Sequence, residues 1–321
     1  DVALAVISRL GSAGALGKAI EFAGPGAEEM SLSGKITVAS MATEMGAIAA
    51  FLPVNDSTLS WLKRRAGDDS LEPVVADGDA DYVEEIAIDL GSLEPMAACP
   101  SSPANVKPVS AIAGTRIDTA IIASCTNGRF EDMVHAAAYL DGKRVKEGVT
   151  LKVVPATEEV YERMMREGIL DIFVQAGALV SNPGCGGCAS GQIGMVGRGE
   201  VQLSTSNRNF AGKQGKGDTY LVSPATAAAS VVAGEIVSPA SEPAPLPAFT
   251  PDEAFHGEPE LTMISWRTGT RGSGKVRSKA AAASAGGCPA VIRGRARVIA
   301  SGKKPMDDID TDMIFHNKYL S

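Results

Sequence analysis

The sequence has 321 residues, 45% of them apolar and only 5% aromatic, with 35 glycines and five cysteines. That length accommodates two domains and part of a third, and an odd, sparse set of cysteines excludes a disulfide-stapled scaffold. A net charge of -8 repels phosphate backbones and argues against a nucleic-acid partner, and no apolar run reaches the roughly 18 residues of a membrane span.

The free thiols suit a reducing compartment, so a cytoplasmic protein is expected, or a matrix one if the source is mitochondrial. No signal peptide is visible. Residue 1 is aspartate, and residues 1–10 already carry Val2, Ala5, Val6 and Ile7 at helical spacing, so an upstream part is expected to be missing. Residues 19–22 form a short strand candidate closed by Gly24-Pro25-Gly26. Residues 36–50 (ITVASMATEMGAIAA) are small and apolar, with Glu44 as the lone charge. A buried carboxylate is costly unless paired, so Glu44 is expected to face a polar site; a helix cap or a half-exposed edge is the bland alternative. Residues 61–65 end a solvated helix, residues 82–90 (YVEEIAIDL) alternate like an edge strand, and the four prolines of 95–108 predict a linker.

Beyond the prolines the pattern is regular. Strands are expected at 119–123, 149–155 and 201–204. Helices are expected at 130–140, at 157–167 with Thr157 as N-cap, and from Ser223-Pro224 through Ile236. Alternating strands and helices, with small residues where layers meet, predict an α/β fold built as two doubly wound parallel-sheet domains. The expected organisation is a partial α/β domain at 1–94, a linker at 95–115, an α/β domain at 116–237, a flexible Pro-rich and then basic connection at 238–290, and the opening of a further small domain at 291–321.

Three chemistry-bearing stretches follow expected strands. They are IIASCTNGR with Cys125, SNPGCGGCAS with Cys185 and Cys188, and TSNRNFAGK with Asn207, Arg208 and Lys213. Ligands of parallel sheets sit at the carboxyl ends of strands, so one shared site is expected. Three thiolates on two loops suit an iron–sulfur cluster with one iron free of protein ligands, while the glycines let backbone approach it. A C-x-x-C pair by itself fits a zinc site or a redox dithiol equally well. Arg208 has the fork geometry for a carboxylate. No G-x-G-x-x-G follows a strand, which weighs against a dinucleotide enzyme.

The motifs SCTNGR, SNPGCGGC and TSNRNF, in this order, resemble the aconitase superfamily. More narrowly they resemble the large subunits of 3-isopropylmalate dehydratase and homoaconitase. IEFAGPG and MATEMGA resemble the family's second domain, and DDIDTDMIF at 307–315 resembles the start of its small swivelling domain. The resemblance implies a 4Fe-4S cluster on Cys125, Cys185 and Cys188, with Asn127 and Gly186 shaping its surroundings. It implies dehydration and rehydration of a hydroxy di- or tricarboxylic acid, with Asn207, Arg208 and Lys213 at the substrate and Glu44 hydrogen-bonded to the hydroxyl or water at the open iron. Lys213 stands where the family has arginine, and Ser40 where aconitases have asparagine. The family's first domain, and the general-base serine of its swivel domain, would have to come from a longer chain or a separate subunit. A cluster-binding fragment without turnover is the alternative reading.

Overall fold

The computed structural model describes residues 1–239, 243, 300, 301, 304 and 305. Residues 1–239 fall in one compact unit. The chain enters through helix α1 (Val2–Leu10), which buries Ala3, Leu4, Val6 and Ile7. Strand β1 (Ala19–Glu21), helix α2 (Pro25–Glu29) and helix α3 (Leu32–Met41) follow. Ser31 caps α3, its hydroxyl accepting from the Gly34 amide. A 3-10 turn, Ala42–Met45, carries Glu44 and closes on Gly46, whose φ of 80 only glycine adopts readily. The apolar stretch 36–50 is therefore helix, turn and the start of strand β2 (Ala49–Phe51), which pairs parallel with β1. Helix α4 (Asp56–Ala66) is solvated as expected and capped by Asn55.

Residues 82–90 do not form the expected strand. Tyr82 and Val83 are 45% and 88% exposed. Alternation defines two faces, but without a partner edge and a surface to bury one of them it does not produce a strand. Residues 95–115 are likewise not a free linker. Strands β3 (Met96–Ala98) and β4 (Val106–Pro108) form an antiparallel hairpin there. The prolines permit it by position: Pro95 precedes β3, Pro100 and Pro103 lie in the connection, and Pro108 ends the outermost strand, where no donor is missed.

The remaining elements are β5 (Thr119–Ile122), the single turn α5 (Ser124–Asn127), α6 (Phe130–Leu140), β6 (Thr150–Val153), α7 (Glu158–Arg166), α8 (Ile169–Ala176), β7 (Leu179–Val180), β8 (Val201–Ser204), β9 (Asp218–Val222) and α9 (Pro224–Ala233). Thr157 caps α7 as expected. The last helix stops three residues short of Ile236, at Gly234 in the left-handed region. Strand β9 and helix α8 were not anticipated. Seven strands form one sheet in the order β4-β3-β9-β8-β5-β6-β7, parallel from β9 to β7, with the antiparallel hairpin on one edge. The expected parallel-dominated α/β architecture is thus present. In the second unit only β10 (Ala300–Ser301) and β11 (Lys304–Pro305) are described, an antiparallel pair. The basic connection and DDIDTDMIF lie outside the described residues.

The sheet is buried on both faces, which is why β5 reads as an unbroken apolar run. Ala120 and Ile122 join Leu151, Val153 and Leu203 under Phe130, Met133, Leu140, Met164, Ile169 and Phe173 from α6, α7 and α8. Each such side chain contributes roughly 1.5–3 kcal/mol on burial. The opposite face of β5, Ile121 and Ala123, meets Val154 and Ile193 in a smaller cluster. There the crossover between β7 and β8 lies on the sheet where a doubly wound fold would place a helix. A third core joins α1 and α3 to Ala98 and Leu221, tying the N-terminal part to the β3–β9 side of the sheet.

Candidate functional site

Strand β5 lies between β6 and β8. From β5 the chain proceeds through β6 to β7, then returns to β8 and β9 on the other side. The β5–β8 boundary is the point where strand order reverses, the place at whose carboxyl ends parallel sheets bind ligands. Both strands end in the motifs singled out above. After β5 comes Ser124-Cys125-Thr126-Asn127-Gly128, and after β8 comes Thr205-Ser206-Asn207-Arg208.

Thr205 fastens the two strand ends. Its hydroxyl accepts from the Ala123 amide at 2.9 Å and donates to the Ala123 carbonyl at 3.0 Å. Ser124 then adopts φ 85, the one positive φ of a non-glycine among the described residues, and its hydroxyl accepts from the Thr126 amide. Such a conformation costs of order 1–3 kcal/mol and persists only where its surroundings hold it. The result is a sharp strand-to-turn corner that leaves Cys125 exposed while Ser124 and Thr126 are buried. Gly128 completes the corner: a Cβ there would lie 2.6 Å from the Ser124 carbonyl oxygen.

The C-x-x-C pair follows β7 and packs against the same corner. Cys185 is exposed, Cys188 is half-buried, and both are free thiols. Between them Gly186 and Gly187 are buried in a 3-10 turn, Gly186–Cys188, that packs against α5. A Cβ on Gly186 would come within 2.8 Å of the Ala123 Cβ, and one on Gly187 within 2.5 Å of Gln214 Oε1. The glycines therefore serve close approach of the turn to the end of β5. Burial pushes the Cys188 thiol up, Arg208 and Lys213 pull it down, and Cys185 and Cys125 push it up again. These five groups thus share one electrostatic neighbourhood. Among the described residues no three His, Cys, Asp or Glu side chains converge on a single metal-ion position.

Glu44 reaches this neighbourhood from the N-terminal part. Its carboxylate is 5% exposed and accepts from Arg208 Nε at 2.5 Å, so it is neither a helix cap nor a free edge residue. That hydrogen bond raises the Arg208 pKa further and leaves the guanidinium's two terminal nitrogens for other acceptors. Asn207 Oδ1 accepts from the Thr126 hydroxyl. Asn127 is consumed locally: its amide donates to the Thr205 carbonyl at 2.9 Å, and its oxygen accepts from Thr37 at 3.1 Å.

A family model described as the aconitase family (aconitate hydratase) matches residues 1–116 and 107–234. The chain belongs to the aconitase family. Among the relatives it resembles, "Probable 3-isopropylmalate dehydratase large subunit" of Methanothermobacter thermautotrophicus is 46% identical over 243 residues, 75% of this chain and 58% of its own length. "3-isopropylmalate dehydratase large subunit 1" of Methanopyrus kandleri is 45% identical over 74% of this chain and 57% of its own length. "Probable methanogen homoaconitase large subunit" of Methanosarcina mazei is 44% identical over 74% of this chain and 61% of its own length. The chain thus spans about 57–61% of the length of these relatives.

Within this aconitase-family unit, the charges of Arg208, Lys213, Cys185 and Cys125 all bear on the Cys188 thiol, and Glu44 is tied to that group through Arg208. Gly186 lies under the C-x-x-C turn, while Asn127 and Asn207 brace the corner after β5. Cys99 lies apart, buried in the hairpin that joins β3 to β4, with its thiol pushed up by burial. Cys288 is outside the described residues. Sequence reasoning assigned no role to Thr37, Thr126, Thr205 or Gln214. Thr126 and Thr205 stand inside the motifs; Thr37 and Gln214 carry no local signal, because their partners are distant in the chain.

Proposed function

We propose that this chain supplies the cluster-binding and carboxylate-binding part of a hydro-lyase that dehydrates and rehydrates a hydroxy di- or tricarboxylic acid of the 3-isopropylmalate, homoaconitate or aconitate type. The observation that carries the reading is the meeting of three free thiols with Arg208 and Lys213 at the β5–β8 switch point. Cys125, Cys185 and Cys188 would hold a 4Fe-4S cluster. The donor set fits: Cys125 and Cys185 lie in electrostatic reach of Cys188 without the three thiols converging on one point, and a multi-iron group takes one cysteine per iron. A turn of glycines with buried backbone beside them supports the same fit. Such a cluster supplies one iron without a protein ligand as a Lewis acid for the substrate's hydroxyl and carboxylate oxygens.

The chain's own residues do the rest of the work assigned here. Arg208 binds a substrate carboxylate through its terminal nitrogens while Glu44 fixes the guanidinium plane through Nε. Lys213 adds a point charge with no bidentate preference, which suits a second carboxylate of variable placement. Glu44, buried and charge-paired, stands ready to accept from the substrate's hydroxyl side of the pocket. Asn207 and Thr126 hold the loop ends. The proton-transferring base and the remainder of the pocket would come from the parts of the relatives that this chain does not span, in the same polypeptide or in a small subunit. No described helix is long and apolar enough to cross a membrane. We assign the chain to a reducing compartment such as the cytoplasm.

Anaerobic reconstitution with iron and sulfide tests this reading. Broad absorbance near the visible region with about four irons per chain is expected. Turnover on 3-isopropylmalate, homocitrate or citrate is then expected from a polypeptide that also carries the parts of the relatives that this chain does not span, paired with its small subunit. A protein that takes up no iron while Cys125 stays free to alkylation contradicts the cluster assignment. Iron uptake without turnover on any of the three, with the small subunit bound, leaves the cluster-binding role alone.

A further inference from the structure

Gln214 is a buried side chain that touches both the Arg208 loop and the C-x-x-C turn. It is 2% exposed. Its Nε2 donates to the Arg208 carbonyl at 2.5 Å, and its Oε1 accepts from Gln202 Nε2 at 3.1 Å. The same Oε1 lies against Gly187, between the two cysteines of the C-x-x-C turn, where a Cβ would stand only 2.5 Å away. Its backbone carbonyl accepts from the Val196 amide at 2.8 Å, on the segment that leaves that turn. Gln202 is fully buried in β8 and its own Oε1 is without a partner. Two amides in a dry interior make a poor core: an orphaned acceptor is destabilising, and an apolar pair of the same size would cost less. Packing therefore does not account for this pair of amides.

We infer that Gln214, braced by Gln202, is a positioning residue that sets the spacing between the cationic loop and the C-x-x-C turn. Nε2 grips Arg208 by its main chain, one covalent step from the side chain that Glu44 orients. Lys213 immediately precedes Gln214, so the same anchor fixes where the second cation lies. On the other side the amide oxygen packs against Gly187, the residue before Cys188, in the space a Cβ there would need. A single planar amide thereby couples both positive charges to the thiols they face. The inference deepens the function proposed above and rests on it only for the turnover arm of its test.

The first arm needs no cluster and no turnover. In the full chain under reducing, metal-free conditions, Cys188 is modified with an anionic disulfide reagent and with neutral iodoacetamide, and each rate is read by peptide mapping. The same thiolate attacks both reagents, displacing a thiolate from the disulfide or iodide from iodoacetamide, so the ratio of rates reports the local positive field rather than the thiolate fraction. Gln214→Met keeps the volume and removes both amide contacts. Displacing two cations by a few ångströms should lower the anionic-to-neutral ratio about fivefold. Gln202→Met removes only the brace and should lower it by a smaller factor; it also serves if Gln214→Met does not fold. A ratio unchanged in folded Gln214→Met, or in Gln202→Met where the first variant does not fold, overturns the inference. The second arm uses the reconstituted polypeptide that also carries the parts this chain does not span, with its small subunit: KM should rise about tenfold in Gln214→Met while kcat and iron content hold. A fall in kcat at constant KM would place the effect in the transition state, and loss of iron would make Gln214 a structural residue; either result overturns the substrate-positioning role. Absence of turnover in the unmodified protein would count against the proposed function and leave the thiol ratio to decide Gln214.

Discussion

The two halves of the described unit are built very differently. Residues 116–237 own a five-stranded parallel sheet with an unbroken core of Ile122, Met133, Leu140, Met164, Ile169 and Phe173 beneath its helices. Residues 1–94 have one pair of three-residue parallel strands, and leave Leu16, Ile48, Phe51 and Val83 between 56% and 88% exposed. Parallel strands ordinarily need both faces covered and more than one neighbour. The N-terminal half holds its shape by leaning on the other. It does so through the α1–α3 core against Ala98 and Leu221, and through polar stitches grouped around the site. Glu44 meets Arg208, Thr37 meets Thr126 and Asn127, Ser31 meets Glu131, and Ser33 accepts from Arg129. The lesson is that the site is also the seam: the thiols belong to the sheet half, and the buried carboxylate belongs to the half that depends on it.

The largest expected effect separates the two halves by chemistry. Cys188→Ser should abolish iron retention after reconstitution, while Glu44→Gln, on the other side of the seam, should retain it. Equal iron content in both variants would remove the division of labour. Next comes stability. Phe173→Ala should cost about 3–5 kcal/mol in denaturant unfolding, whereas Phe51→Ala, half exposed on β2, should cost less than about 0.5 kcal/mol. A large loss from Phe51→Ala would show that the N-terminal half carries a core of its own.

The seam itself should respond unequally. Arg208→Leu strands a carboxylate that is 5% exposed and should cost roughly 3 kcal/mol or more. Glu44→Leu strands a guanidinium that is 38% exposed and can regain water, so its cost should be about 1 kcal/mol. Equal losses would mean the pair is not asymmetrically buried. The smallest contrast is between two caps. Thr157→Ala loses one capping bond within the sheet half, about 1 kcal/mol. Ser31→Ala loses a cap and also its hydrogen bond to Glu131 across the seam, and should cost roughly 0.5–1 kcal/mol more. A double-mutant cycle with Glu131→Ala that shows no coupling would confine Ser31 to capping.

Much of the sheet half was legible from local pattern. Helix α6 covers the residues expected of it, and β5, β6 and β8 fall within one or three residues of the apolar runs that announced them. Strand β9 was not legible, because DTYLV opens on a charge and follows a glycine-rich loop. The proline-rich stretch misled for a related reason. Prolines mark breaks in pairing, but they do not say whether the residues between them find an edge, and here β9 supplied one. Residues 82–90 had the alternation and found no edge.

What the sequence determined alone was chemistry with its spacing: three thiols in two glycine-bearing motifs, an Asn-Arg pair after a strand, and an isolated Glu44 among small residues. Those are statements about residue type and nearest neighbours, which the chain carries locally. Only the tertiary structure decided that the motifs meet at a reversal of strand order, that Glu44 answers Arg208 from 164 residues away, and that Gln214 ties the two loops together. The physical reason is that each of these depends on which strand lies beside β5. That neighbour is chosen by long-range packing of both sheet faces, not by any short stretch of residues.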